Sequence, residues 1–205
     1  MYKLDTNAAK QADSTGSRIS ETGKYKGHFT RAQHVVAEKT GTKGIDFDFV
    51  ADNGQKARFS IYTIKSDGKL IYGYKQLMAI MTVLQIRELA DPVDKQARVY
   101  DYDQNKEVDV TVPQFVELLN KPIGLLLSME EYKTDKWRPN LSGMFQADTE
   151  LVASELLERK TQPQQLAKMV AALRDKPFKG KPADHDSATH EPVGSVADMD
   201  DDIPF

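Results

Sequence analysis

Within residues 44–51, apolar and polar residues alternate one by one from Ile45 to Phe49, and a period of two predicts a β-strand with one buried face. Ile45, Phe47 and Phe49 share that face, and Asp46 and Asp48 fall on the opposite, wet one. Residues 55–65 repeat the pattern, with Ala57, Phe59 and Ile61 inward and Arg58, Ser60 and Tyr62 outward. Between the runs, Asp52-Asn53-Gly54 predicts a hairpin, because a type I′ turn needs positive φ that Asn and Gly accept. Ser66-Asp67-Gly68 closes the later run in the same way. Upstream, residues 24–38 predict a first strand with Lys24, Lys26 and His28 on one face, opposite Tyr25 and Phe29.

The period then changes. Leu77, Ile80, Met81 and Leu84 recur at helical spacing, so residues 74–89 predict a well-buried helix stopped by Asp91-Pro92. A second hairpin is expected from 97–103 and 107–112 around Gln104-Asn105-Lys106, then a short helix from Val112-Pro113 holding Phe115, Leu118 and Leu119. Residues 121–133 and 137–146 predict a last strand pair. Two helices follow, one over 149–159 capped by Asp148, the other opening at Thr161-x-x-Gln164 and burying Leu166, Met169, Val170 and Leu173. The expected class is mainly β with α. Three strands in a meander, a buried helix and further strands is the order of an OB-fold, a five-stranded Greek-key barrel that binds oligonucleotides across strands 2 and 3. That domain is expected over 21–175, between a loose arm at 1–20 and a flexible linker at 176–197, whose small and polar residues cannot build a core.

Composition bounds the reading. With 205 residues, 40% of them hydrophobic, the chain can form one domain with a core plus extensions. The absence of cysteine excludes a disulfide framework and any cysteine-ligated metal site, and it suits a reducing cytoplasm. No apolar run is long enough to span a membrane, so a cytoplasmic protein is expected. His28 and His34 have no evident third ligand, and Gly41-Thr42-Lys43-Gly44 lacks the ending of a P-loop. With no catalytic motif, metal or cofactor implied, a binding protein rather than an enzyme is expected.

The net charge of −3 averages two unlike parts. Residues 182–205 hold seven acids and no Lys or Arg, leaving a body with 28 basic and 24 acidic residues, a net of +4. A mildly basic body with an acidic tail suits a polyanion at one part and basic protein surfaces at the other. The tail finishes in Asp198, Asp200, Asp201, Asp202, Ile203, Pro204 and Phe205, which predicts a partner with a small apolar pocket and a basic rim. That hexapeptide from Asp200 resembles the C-terminal tip of bacterial single-stranded DNA-binding proteins. The body, through Gly23-Lys24-Tyr25-Lys26-Gly27, the run from Gly41 to Phe49 and Asp52-Asn53-Gly54-Gln55-Lys56-Ala57, resembles phage-encoded single-stranded DNA-binding proteins.

The resemblance implies a protein that coats single strands during replication, recombination and repair, and recruits replication and repair proteins through its tip. In a phage, its place would be the host cytoplasm. Binding a single strand requires cations for the backbone and aromatic faces for bases on one surface. The candidates are Lys24, Lys26, His28, Lys39, Lys43, Arg58, Tyr62, Tyr72, Tyr74, Trp137 and Arg138, and self-association is compatible with them. The rival expectation is a decoy that binds host replication proteins through the tip without touching DNA. It requires Tyr62 and Trp137 to be buried and Arg58, Lys24 and Lys26 not to line a common groove.

Overall fold

The computed structural model describes residues 18–101 and 106–178. Along the chain lie β1 (Gly23–Val36), β2 (Lys43–Ala51), β3 (Lys56–Ile64), α1 (Tyr72–Val83), β4 (Val93–Asp101), β5 (Lys106–Gln114), a 3₁₀ turn (Val116–Leu118), β6 (Pro122–Lys133), β7 (Lys136–Gln146), α2 (Ala153–Leu157) and α3 (Leu166–Ala172). The architecture is a mainly antiparallel seven-stranded sheet with short helices.

β1 organises the sheet because it serves three neighbours. Its first half pairs with β6 from Gly23↔Leu127 to His28↔Pro122, and its second with β2 from Gly27↔Ala51 to Val36↔Lys43. A bulge between Phe29 and Arg31 lets the strand bend from one partnership to the other. Among the described residues β5 pairs with β1 only at Gln33↔Gln114, while β4 and β5 pair with each other along their length. β3 pairs β2, β7 pairs β6, and β3 and β7 approach one another without a ladder between them among the described residues.

The inward faces meet as the alternation requires. Phe29, Phe47, Phe49 and Phe59 are buried, and the Phe29 and Phe47 ring centroids lie 4.5 Å apart. Leu77, Ile80 and Met81 of α1 join the same core. β6 is buried continuously from Ile123 to Met129 because both its faces are covered. Inward, Ile123, Leu125 and Leu127 face the main core, while Leu126 packs outward with Phe145, Val152 and Leu166 under α2 and α3.

Several boundaries differ from the sequence reading for identifiable reasons. The hairpin at Asp52-Asn53-Gly54 forms, but as a three-residue loop in which only Gly54 has positive φ, at 83°. α1 stops at Val83, well before Asp91. Gln85 takes φ 56°, Ile86 N–H donates to Met81 O at 2.8 Å and Gln85 N–H donates to Thr82 O at 3.1 Å, a Schellman stop without glycine. Ile86 and Leu89 pack on the same core from irregular backbone, which extends the apolar pattern past the helix.

Val112 and Pro113 stay in β5, and only the 3₁₀ turn follows. The helix expected over 149–159 shrinks to α2, with Val152 rather than Asp148 before its first turn, because Glu150 at φ 62° turns the chain back beside β7. In α3, Leu166 is buried but Val170 is exposed. The expected arm and linker each lose a few residues to the body. Ile19 lies in the core and donates to Lys56 O, and Lys176 bonds Met129 and Glu131 along the β6 edge.

Candidate nucleic-acid interface

The outward face of β1, β2 and β3 is built in rows set by strand register. One row is Val35, Gly44 and Tyr62, the next Gln33, Asp46 and Ser60, the next Arg31, Asp48 and Arg58, and the last His28, Val50 and Lys56. Gly44 has no side chain, and a Cβ there would lie 2.9 Å from Tyr62 Cδ1, so the Tyr62 ring rests across the bare Gly44 backbone. Tyr62 remains 41% exposed. The result is a ring held on the sheet with a face toward solvent.

Neighbouring elements extend that end of the sheet. Gly73 lies against the Tyr62 carbonyl, where a Cβ would sit 2.0 Å from the oxygen, so the first turn of α1 abuts Tyr62. This seats Tyr72, 71% exposed, beside the platform, while Tyr74 is half-buried. Lys43 opens β2 next to Gly44, and the loop 37–42 carries exposed Lys39. That loop is held by Gly41 N–H donating to Ala37 O at 2.7 Å, and Gly41, at φ 65°, approaches Ser66. Val36 and Leu70 are exposed at the same end, Val36 paired with Lys43 and Leu70 bridged to Ile64.

Arg58 points outward as expected, yet it is engaged. Asp48 accepts from Arg58 Nε at 2.6 Å and Nη2 at 3.1 Å, and from Arg31 Nε at 2.8 Å and Nη2 at 3.0 Å. Arg31 is buried, and its Nη1 donates to Gln33 Oε1 at 2.6 Å. Burial pushes the Asp48 carboxyl upward, but the two guanidinium groups overcome it and hold the group below its ordinary value. Asp48 is therefore tied into the sheet by the buried Arg31, and Asp46 accepts from Ser60 Oγ at 2.6 Å.

Lys24, Lys26 and His28 do share the outward face of β1. Lys24 and Lys26 each lie 3.0 Å from Glu150 Oε1, and Lys24 Nζ sits 5.8 Å from the Phe145 ring centroid. Hydrogen bonds from Lys24 and Lys26 lower the Glu150 carboxyl. His28 is half-buried.

Trp137 and Arg138 stand apart from the platform. β6 continues past its last partner in β1, Gly23, so the β6–β7 turn projects beyond the N-terminal end of β1, whereas Lys39, Lys43 and Tyr62 sit at the C-terminal end. Trp137 is 43% exposed, and Arg138 bonds Glu130 at 3.0 Å and lies 5.6 Å from the Tyr132 ring centroid. The candidates thus form a platform group, a Glu150-bound lysine group and a hairpin-tip group. Sequence reasoning missed Arg31, Val36, Leu70 and Tyr132. Tyr132, in phase with outward-packing Leu126 on β6, had a signal in the alternation, but exposed Val36 at the end of β1 and the bulge that fixes Arg31 outward had none.

The tip residues Asp198, Asp200, Asp201, Asp202, Ile203, Pro204 and Phe205 lie outside the described residues. Among the described residues, no cluster of His, Asp or Glu could hold a metal, and no helix is long and apolar enough to cross a membrane. No protein-family model matches the chain, and no curated protein matches it.

Proposed function

We propose that the body is an OB-fold and that the protein binds single-stranded DNA without sequence preference, as a phage replication and recombination protein whose acidic tip recruits repair and replication enzymes. The strand order supports the fold reading: β3, β2, β1, β6 and β7 run consecutively, with α1 inserted after β3 as an OB-fold requires, and β4–β5 as an added ribbon. The observation that carries the binding reading is the Tyr62 ring lying over Gly44, exposed and flanked by Lys43, on the strand 2–3 surface. Bases would stack on Tyr62 and Tyr72 while Lys39 and Lys43 meet phosphates. Trp137 and Arg138 would engage a longer strand beyond the other end of β1.

The decoy reading keeps one observation in its favour, because Lys24, Lys26, Arg31 and Arg58 are each engaged by Glu150 or Asp48 within the body. Its requirement of a buried Tyr62 and Trp137 is not met. A titration of labelled oligo(dT) into the full chain at rising salt separates the two. Single-strand binding predicts affinity that falls with salt at about 0.7 log units per log unit for each phosphate neutralised, with duplex DNA bound far more weakly. No binding at low salt would leave the decoy.

A further inference from the structure

A groove of about 310 Å³ opens between α3 and the outer face of β6 and β7. Its lining is Leu126, Ser142, Met169, Ala172 and Leu173, with Arg174 and Lys176 among the residues around it. Gly143 makes it possible, since a Cβ there would meet the Met169 methyl at 2.6 Å. The volume stands at the lower end of the roughly 300–1,000 Å³ of ligand clefts, enough for one or two apolar side chains. Arg174 and Lys176 are exposed, and neither meets a carboxylate in an ion pair among the described residues. Arg174 Nη1 donates instead to the Ala171 and Leu173 carbonyls, which holds the guanidinium at the end of α3.

We infer that this groove is a docking site for the chain's own segment 198–205, with Ile203 and Phe205 in the apolar floor and the aspartates against Arg174 and Lys176. Two observations select that occupant over others. The chemistry is complementary: an apolar groove beside two cations faces a segment that is acidic and then apolar. The chain also leaves the described body at Phe178, two residues after Lys176, so the segment is tethered beside the groove.

Random-coil statistics for a tether the length of residues 179–205 give a span of about 30 Å. The segment's effective concentration at the groove is on the order of millimolar, so a weak intramolecular contact outcompetes the same segment of another copy at micromolar protein. The docked segment is withheld from other proteins without covering the Tyr62 platform, since the groove is built on β6, β7 and α3 and the platform on β2 and β3. The inference does not depend on DNA binding.

The chain has no native cysteine, so a nitroxide placed on Ala197→Cys reports position uniquely in the full-length protein labelled with ¹³C-methyl methionine. The expected result is loss of most of the Met169 methyl intensity, with Met78 and Met81 of the main core little affected. Dilution leaves the loss in place, and Phe205→Ala or the pair Arg174→Glu and Lys176→Glu removes it. The first of these substitutions leaves every described contact of the body intact, so its result does not depend on folding. Equal broadening of all three methionines overturns the docking. Broadening that disappears on dilution assigns the groove to a second copy and overturns the intramolecular site.

Discussion

Asp48 shows how much one residue decides on the outer sheet face. It is the shared acceptor of Arg31, which is buried, and Arg58, which is on the surface. Asp48→Asn keeps the shape and removes the charge, leaving the buried Arg31 guanidinium uncompensated. The expected cost is about 3 kcal/mol, read as a lowered midpoint in urea unfolding. The same carboxyl fixes a pH dependence. Its folded pKa lies below the unfolded one, so its contribution is present above an unfolded value of about 3.9 and is lost as pH falls through the folded value. Glu150 and Glu155 are shifted in the same direction and add to the slope. Melting temperature should therefore hold through neutral pH and drop below about pH 4, and the Asp48→Asn variant should drop less steeply.

At the scale of elements, two contacts fix the positions of α1 and of the C-terminal helices. Gly73→Ala would drive a methyl into the Tyr62 carbonyl and push α1 off β3, a cost of about 1–3 kcal/mol visible in thermal melts. Glu155, fully buried, accepts from Val152 N–H at 3.1 Å, Gln164 N–H at 2.7 Å and Gln165 N–H at 2.9 Å. It thereby closes the start of α2 and ties the approach to α3 in one group. Burial opposes its charge, but the three backbone donors prevail and keep the carboxyl below its ordinary value. Glu155→Ala should speed amide exchange at Gln164 and Gln165 selectively, with β1 to β3 unaffected; uniform exchange across both regions would contradict this division.

The elements read most clearly from sequence were those in which period and burial agree. Phe47, Phe49, Phe59 and Ile61 alternate because one face of β2 and β3 covers the core, and their outward partners followed directly. The helix ends were less legible, since Ile86 and Leu89 continue an apolar pattern that the backbone abandons at Gln85. The late start of the helix expected over 149–159 was hidden for a similar reason: the partner that closes its first turn, Glu155, lies inside it rather than at Asp148 or Thr149.

For the molecule as a whole, the arrangement divides what the candidate list had joined. Lys39, Lys43, Tyr62 and Tyr72 belong together, Trp137 and Arg138 lie past the other end of β1, and Lys24 and Lys26 are spoken for by Glu150. Cross-strand register and the bend of β1 make that division, and neither is written in any local stretch of sequence.

The most direct test compares oligo(dT) affinity of the full-length protein with that of Tyr62→Ala at fixed low salt. A stacking platform at Tyr62 predicts weaker binding by about 1–3 kcal/mol, with the fold intact by circular dichroism. Equal affinities for the two proteins would contradict the assignment of the strand 2–3 face as the reader of single strands.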